Sequence, residues 1–389
     1  MKRWLIFALA LATLSAPAPK PANYDAFGFA LLQKLAPQAK NQNIFISPLS
    51  IGMALSMAAD GARGQTRAAI ANALGFSTGA FAPANSSLIA ALANNHDAQV
   101  AVANALWLRQ DIPPKPAYVN LLKTAYRAQA QALQFGNPSA AAAINAWTKA
   151  HTLGLIAKIV SQTQRSDFAY LTNAVAFKAD WTQPFKKSDT RPRPFTNADG
   201  SKPEVLTMSE TGMFKELDGK YFAAIRMPYG KGGYAAYVIL PNTSVATAMA
   251  VSYLSAKNFD GIASSMTAQR LQVMLPKFTA TYSTSLVNTL KSLGMGIAFT
   301  GAADFSLMHT PPPGLTISDV RHEAYVHVDE KGTTAAAATS ITITTTAIQE
   351  PPKQFIVNRP FIFALRDEQT GSLLFIGVIN NIPGLKVSV

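Results

Sequence analysis

Residues 332–349 read GTTAAAATSITITTTAIQ, a stretch without a single charge. It holds only one glycine, so its composition is not that of a linker, and the threonines and isoleucines of its second half disfavour a helix. One face of a strand would carry Thr333, Ala335, Ala337, Thr339, Ile341 and Ile343, and the other Thr334, Ala336, Ala338, Ser340, Thr342 and Thr344. The first face becomes apolar and the second stays small and polar. This alternation predicts a half-buried strand that an existing sheet could accept.

Strand patterns dominate the second half of the chain around this segment. Tyr170 to Lys178 is almost continuously apolar, which is typical of a central strand covered on both faces. Further strands are expected at 100–108, 220–227, 234–240, 271–275, 324–328, 361–365 and 373–378. Helices are expected mainly in the first half, at 25–35, 47–61, 64–75, 86–93, 117–130 and 139–153. Because helices and strands do not alternate, the predicted class is α+β.

The composition narrows the possible classes of protein. The 389 residues are 49% hydrophobic and 14% charged, which excludes a disordered or coiled-coil chain. The absence of cysteine excludes a disulfide scaffold and any metal site built on thiolates. The net charge of +13 makes an anionic partner worth testing.

The first residues have the pattern of a secretory leader. Lys2 and Arg3 precede an apolar run from Trp4 to Leu14, and small residues follow. We therefore expect a signal peptide within residues 1–22, with an uncertain cleavage point, and a single domain over 23–389. The expected location is secreted or periplasmic, without membrane attachment once the leader is removed.

Patterns that suggest an enzyme are weak. Gly75-Phe76-Ser77-Thr78-Gly79 matches a nucleophile elbow, but a helix rather than a strand precedes it, so Gly75 is better interpreted as a helix C-cap. His322 and His327 are five residues apart and would face opposite sides of a strand. The sequence therefore predicts no metal, no cofactor and no catalytic residue.

The basic residues do not form a nucleic-acid site. Their densest stretch, Lys186 to Arg193, lacks the interleaved aromatic residues of a stacking surface. A solvated basic surface is the preferred interpretation, no nucleic acid is expected, and polyanion binding stays open as an alternative.

Short motifs then follow one another in a fixed order. They are Asn43–Ser50, Gly61–Thr66, Asn104–Trp107, Asn145–Trp147, Leu171–Ala174, Phe177–Trp181, Pro184–Phe185, Met227–Tyr229, Leu240–Pro241, Leu275–Phe278, Ala303–Ser306, Glu330–Thr333, Asn358–Phe361 and Phe375–Gly377. In this order, from about Asn23 to Gly384, the chain resembles a serpin, a member of the serine protease inhibitor superfamily. The resemblance implies helices packed around three β-sheets with an exposed reactive-centre loop.

The resemblance also implies an activity. Serpins expose a loop as bait, and the cleaved loop inserts into the main sheet while the target serine protease is still attached as a covalent complex. A monomer is expected. The hinge of the loop would comprise Glu330, Gly332, Thr333, Thr334, Ala335, Ala336, Ala337 and Ala338. No bulky, charged or proline residue occurs from Thr333 to Thr339, which favours an inhibitor over a non-inhibitory carrier, chaperone or storage protein.

The family's spacing places the reactive bond by counting. The sixteenth residue after Glu330 is Thr346, so the bond is expected at Thr346–Ala347, to within one or two residues. Its flanking residues are Ile343, Thr344, Thr345 and Ile348. A small residue before the bond suits an elastase-like or subtilisin-like protease.

Other roles follow from the same resemblance. Ser47, Ser50, Asn173 and His322 match a polar cluster beneath the point where the sheet opens, and Trp181 with Lys277 matches the place where the loop enters. The chain departs from the family pattern at Glu323, Ala179, Thr334 and Leu155. The helix near Ser86 to Asn95, which would bind heparin in the family, has no lysine or arginine.

Overall fold

The central helix of the molecule begins at a serine followed by a proline. In the computed structural model, which describes residues 19–39, 41–76, 80–309, 316–333 and 351–385, the Ser47 hydroxyl accepts a hydrogen bond from the Ser50 amide at 3.2 Å. Pro48 occupies the first turn, where its missing N–H costs nothing. Because the following residues to Ala59 are all buried, this helix lies in the core rather than on the surface.

The described residues contain nine α-helices, mostly in the first half as predicted. They are α1 (Asp25–Leu35), α2 (Pro48–Asp60), α3 (Gly64–Leu74), α4 (Phe81–Ala93), α5 (Pro116–Tyr126), α6 (Pro138–His151), α7 (Thr247–Tyr253), α8 (Ala256–Ser265) and α9 (Val287–Leu290). Gly75 has φ 75° at the end of α3, which confirms its interpretation as a C-cap. Ser77 lies outside the described residues.

Fifteen strands complete the described part of the fold. They are β1 (Ile44–Ile46), β2 (Gln99–Arg109), β3 (Gln129–Leu133), β4 (Ala169–Asp180), β5 (Arg191–Pro194), β6 (Glu204–Asp218), β7 (Phe222–Tyr229), β8 (Tyr234–Pro241), β9 (Thr267–Pro276), β10 (Phe278–Ser285), β11 (Asp319–Val328), β12 (Gly332–Thr333), β13 (Lys353–Ile356), β14 (Phe361–Asp367) and β15 (Leu373–Ile379).

These strands form two hydrogen-bonded sheets. The six-stranded sheet has the order β10-β11-β12-β4-β2-β3, and the nine-stranded sheet runs β1-β15-β14-β8-β7-β6-β9-β13, with β5 beside β6. The α+β class is confirmed. Three sheets were expected, but the described residues form two. The 15-residue strand β6 pairs with β7 along one part and with β9 along most of its length, so that two groups of strands become one continuous sheet.

The six-stranded sheet is covered on both faces. Its inner face packs on α2 and the large core, whereas its outer face packs on α6 through a smaller cluster that includes Trp107, Ile144 and Tyr170. Trp147 of α6 meets Trp107 edge-on at 5.6 Å. This two-sided cover explains why β4 is almost continuously apolar, as the sequence predicted.

The structure differs from the sequence predictions at the end of α5 and at β6. The helix expected to reach residue 130 ends at Tyr126, because Arg127 adopts a left-handed conformation with φ 51° and the chain continues as β3. Strand β6 was not predicted, since its polar, half-exposed sequence lacks a continuous apolar pattern. Among the described residues, no helix has the length and apolar character needed to cross a membrane.

Candidate functional site

The six-stranded sheet parts between its two central strands. Strands β4 and β11 pair in parallel from Tyr170–Asp319 to Val175–Ala324. Beyond that point β12 lies between them, with Thr333 antiparallel to both Ala179 and Val328. The segment that the sequence singled out therefore begins inside the main sheet, at the end where the two central strands diverge.

Gly332 makes this insertion sterically possible. A Cβ atom at this position would lie 2.0 Å from the carbonyl oxygen of Ala179, so any side chain would collide with the neighbouring backbone. The next residue, Thr333, is fully buried, and its hydroxyl lies 2.6 Å from the hydroxyl of Tyr229. Gly332 and Thr333 are thus closely packed between the neighbouring strands of the sheet.

Asp329 folds the chain back into the sheet. Its Oδ1 atom accepts hydrogen bonds from the amides of Lys331 at 2.9 Å and Gly332 at 3.3 Å, and its own amide donates to the Gly332 carbonyl. The sequence analysis missed this residue. The signal was present, because aspartate at the first position and glycine at the fourth are typical of a type I turn.

Trp181 stands where the segment enters. Its indole Nε1 donates to the carbonyl of Asp329 at 3.0 Å, and its amide donates to the carbonyl of Lys331 at 2.7 Å. The indole ring stacks on Tyr229 with centroids 4.2 Å apart. Trp181 therefore holds both the turn and the tyrosine that bonds Thr333.

Glu330 anchors the other side of the turn. Its carboxylate accepts from Lys277 Nζ at 2.7 Å and from the Thr190 hydroxyl at 2.9 Å, and its carbonyl accepts from the Phe185 amide. Burial raises the pKa of Glu330, but the hydrogen bonds from Lys277 and Thr190 outweigh burial and hold the pKa below its ordinary value. The carboxylate is therefore charged at neutral pH.

A buried polar cluster lies beneath the paired part of β4 and β11. His322 Nδ1 lies 2.7 Å from Asn173 Oδ1, and its Nε2 accepts from the Ser47 amide at 3.3 Å. The Asn173 amide donates to Ser50 Oγ and, at 2.7 Å, to Asn104 Oδ1. The four residues expected here are thus brought together across α2, β4 and β11. Asn104 was missed because its position depends on the pairing of β2 with β4.

Protonation of His322 would disrupt this cluster. Burial lowers the pKa of His322 to about 3, only partly opposed by a backbone hydrogen bond. Since Nε2 accepts a hydrogen bond, the neutral ring carries its proton on Nδ1 and donates it to Asn173. The Nδ2 atom of Asn104 is buried without a partner among the described residues, so the cluster retains one unused donor.

Several predicted site residues lie outside the described residues. They are the reactive bond Thr346–Ala347, its flanking residues Ile343, Thr344, Thr345 and Ile348, and the hinge residues Thr334, Ala335, Ala336, Ala337 and Ala338. The chain is described again from residue 351, and β13 then pairs in parallel with β9 in the other sheet. Thr333, the last residue described before this part of the chain, thus lies in the six-stranded sheet, and β13 after it lies in the nine-stranded sheet.

Comparison with known proteins gives a consistent family. Residues 22–382 match the family model "Serpin (serine protease inhibitor)". A serpin-like protein of Thermococcus kodakarensis is 35% identical over 92% of this chain and 84% of its own length. Among solved structures, the native thermophilic serpin tengpin has a TM-score of 0.86 at 31% identity, covering 93% of this chain and 94% of its own. Human thyroxine-binding globulin in complex with thyroxine also has a TM-score of 0.86, at 25% identity, covering 93% and 98%.

Proposed function

The chain belongs to the serpin family, and from this premise we propose that it is an irreversible inhibitor of serine proteases that acts by loop cleavage, acyl-enzyme trapping and insertion of the loop into the six-stranded sheet. The observation that carries the proposal is the position of β12. Gly332 and Thr333 already lie between β4 and β11, at the point from which a new central strand would grow.

The register of β12 supports this growth. If the pairing of Thr333 with Ala179 continues along β4, Ala335 meets Phe177, and Thr339 meets Asn173. If the pairing of Thr333 with Val328 continues along β11, Thr339 also meets His322. Asn173 and His322 are direct partners across the closed sheet, so the two registers agree on one site for Thr339.

The polar cluster would accept this threonine. Insertion separates Asn173 from His322, and a hydroxyl placed between them can both donate and accept a hydrogen bond. The unused Asn104 donor lies in the same cluster. The opened sheet would therefore keep its buried polar groups paired, which removes the usual cost of parting such a cluster.

Insertion would also gain apolar burial. In the same register, Ile341 meets Leu171 and Val320 on the inner face, where both are fully buried. Burying one isoleucine side chain contributes about 1.5–3 kcal/mol. The parallel pairing of β4 with β11 would be replaced by two antiparallel pairings, so backbone hydrogen bonds would increase in number.

The proposed target is an elastase-like or subtilisin-like enzyme that cleaves at Thr346–Ala347. The protease serine would add to the Thr346 carbonyl carbon, the peptide bond would break, and the Ala347 amine would leave with a proton. The resulting ester joins Thr346 to the protease. Insertion of residues 334–343 would then carry the ester towards the far end of β4 before water cleaves it.

A non-inhibitory carrier is the second candidate, because human thyroxine-binding globulin, solved with thyroxine, shares the fold over most of its length. The uncharged segment from Thr333 to Thr339 supports the inhibitor instead, since a carrier has no need of residues that can enter the sheet. Polyanion binding through α4 has little support, because Phe81–Ala93 contains neither lysine nor arginine.

The deciding experiment mixes the mature protein with pancreatic elastase and, separately, with subtilisin. We expect an adduct that survives denaturing electrophoresis, together with a released peptide that begins at Ala347 or within two residues of it. Cleavage in the loop by both enzymes without any adduct, and without a rise in thermal stability after cleavage, would contradict inhibition and favour the carrier.

A further inference from the structure

Strand β2 has an open edge over its first residues. Strand β3 pairs with β2 only from Ala105 to Arg109, and no described strand pairs with that edge of β2 from Gln99 to Asn104. Successive residues of a strand direct their backbone N–H and C=O groups to opposite edges. Alternate residues between Gln99 and Val102 therefore direct unpaired donors and acceptors away from β4, where a further strand could pair.

A cleft of about 430 Å³ lies along this open edge. Its apolar walls include Met53 of α2, Ile89 and Leu92 of α4, and Val100 and Val102 of β2. This volume falls within the range of about 300–1,000 Å³ found for ligand sites. The cleft therefore combines an apolar surface with unpaired backbone groups.

One wall of the cleft is fixed in place. The turn between α4 and β2 is tied to the β7–β8 hairpin, because Asn95 donates to the Gly233 carbonyl and Asp97 accepts from the Lys231 and Gly233 amides. Asn95 also donates to Asp367, at the end of β14. A wall held by these four hydrogen bonds is formed before any ligand arrives, which lowers the entropic cost of binding.

The charge at the cleft is positive. Arg127 lines it, and no carboxylate is among its described lining residues. Arg127 is exposed and makes no ion pair or side-chain hydrogen bond with the described residues. It also holds φ 51°, a conformation that costs a non-glycine residue about 1–2 kcal/mol, where glycine would be the ordinary choice. The left-handed turn at Arg127 ends α5 and leads the chain towards β3.

The C-terminal ends of nearby helices add a negative partial charge at the cleft, which is weaker than the positive charge of Arg127. Helices α4, α5 and α6 all end beside the cleft, and a helix C-terminus carries about half a negative charge. Several of these terminal carbonyls are already bonded, since Asn94 donates to Ala90 and Gly154 donates to Lys149. The full charge of Arg127 therefore dominates at the mouth of the cleft.

We propose that this cleft binds a short extended peptide, which pairs with the open edge of β2 and places its C-terminal carboxylate against Arg127. Arg127 directly precedes the segment that leads into β3, and β3 runs parallel to β2. A peptide lying in line with β3 and in the same direction would end at Arg127. Backbone pairing would supply affinity, and capture of the carboxylate would fix the direction of the peptide.

This binding is independent of the proposed inhibition and is measured without a protease. The probe is acetyl-Thr-Val-Thr-Val with a free carboxylate, titrated into the mature protein by calorimetry. We expect binding that weakens about tenfold when the peptide is amidated and about tenfold in Arg127→Met, in line with the loss of one charge-assisted hydrogen bond. In Arg127→Met the free and amidated peptides should bind equally, because the two changes remove the same contact.

Matched variants locate the peptide. Lys123→Met removes a positive charge from the last turn of α5 but does not line the cleft, so it should leave affinity unchanged. Ala93→Trp fills the mouth of the cleft from an exposed position on α4 and should abolish binding. Binding that survives both Ala93→Trp and Arg127→Met overturns the proposal. The proposal is also overturned if decanoate binds with the same dependence on Arg127 while the peptide does not bind.

Discussion

The hydroxyl groups of Tyr229 and Thr333 lie 2.6 Å apart, and both residues are buried. Burial drives the pKa of Tyr229 far above its ordinary value, so the phenol stays protonated and can serve as donor. This bond joins the nine-stranded sheet, through β7, to the first inserted residues of the loop. It therefore sets how firmly β12 is held before any protease arrives.

Removal of this hydroxyl should release β12. In Tyr229→Phe the Thr333 hydroxyl loses its partner, and an unpaired buried hydroxyl costs about 1–3 kcal/mol. We expect faster amide hydrogen exchange at Gly332 and Thr333, with unchanged exchange in β8. In the double variant Tyr229→Phe with Thr333→Val, the loss in the free energy of opening β12 should be smaller than the sum of the losses in the two single variants. Unchanged exchange in Tyr229→Phe would show that Gly332 and Trp181 hold β12 without the bond.

The hinge should tolerate charge on one face only. If the loop inserts with the register of β12 continued, Ala335 would meet Phe177 on the inner face of the sheet, and its neighbour Thr334 would meet Lys178 on the outer face. Ala335→Glu should therefore block insertion and turn the inhibitor into a substrate, whereas Thr334→Glu should keep the trapped complex. The measurement is the ratio of adduct to cleaved protein on a denaturing gel. Equal ratios for the two variants would contradict the register.

The Glu330–Lys277 pair should give a stability that disappears in acid. The pKa of Glu330 is held below its ordinary value in the folded protein, so its contribution is complete above about pH 4.5 and is lost as pH falls through the lowered pKa. Because Glu330 is buried and Lys277 partly exposed, we expect about 1 kcal/mol at neutral pH.

Glu330→Gln provides the comparison. Its melting temperature should lie below that of the native sequence at pH 7, and the two should converge as pH falls below 4. Glu204→Gln, at an exposed position, serves as the control and should follow the native curve throughout. A constant difference at all pH values would mean that the charge of Glu330 does not contribute.

His322 should make the closed sheet sensitive to mild acid. Its pKa falls from 6.5 in the unfolded chain to about 3 in the fold. Between these pH values His322 is protonated in the unfolded chain but not in the folded protein. The free energy of unfolding therefore falls by roughly 1.4 kcal/mol for each pH unit below 6.5. Asp25 acts in the opposite direction, because burial raises its pKa to about 6.

The difference between the native sequence and His322→Gln isolates the histidine. We expect the urea midpoint of the native protein to fall more steeply from pH 6.5 to pH 4 than that of the variant. Parallel curves would show that another group governs the acid response.

The sequence was sufficient for the parts of the fold that depend on local patterns. Ser47-Pro48 predicted the start of α2, and the apolar run in β4 predicted a central strand. Asn104 could not be predicted in the same way, because its place in the polar cluster follows from its pairing with Asn173, 69 residues away. Arg127 could not be predicted either, since glycine or asparagine is the usual signal for a left-handed helix end.

The alternation of the loop can be tested by changing its length. One alanine inserted between Ala337 and Ala338 would turn every later residue to the opposite face, which would move Ile341 and Ile343 to the outer face and Ser340 to the inner face. We expect this variant to be cleaved without trapping the protease. Two inserted alanines restore the faces and should recover part of the adduct, measured by the same gel. Equal trapping by both variants would contradict strand insertion.

If the loop inserts as proposed, the twelve residues of β4 would set how far it can enter the sheet. With Thr333 paired to Ala179 and the register continued, β4 would end at Ala169 opposite Ile343, three residues before Thr346. Any captured protease would therefore be delivered to one fixed edge of the molecule, whatever its own size. On this proposal the residues around Thr346 could vary with the target protease, whereas the number of residues between Gly332 and the reactive bond could change only in steps of two.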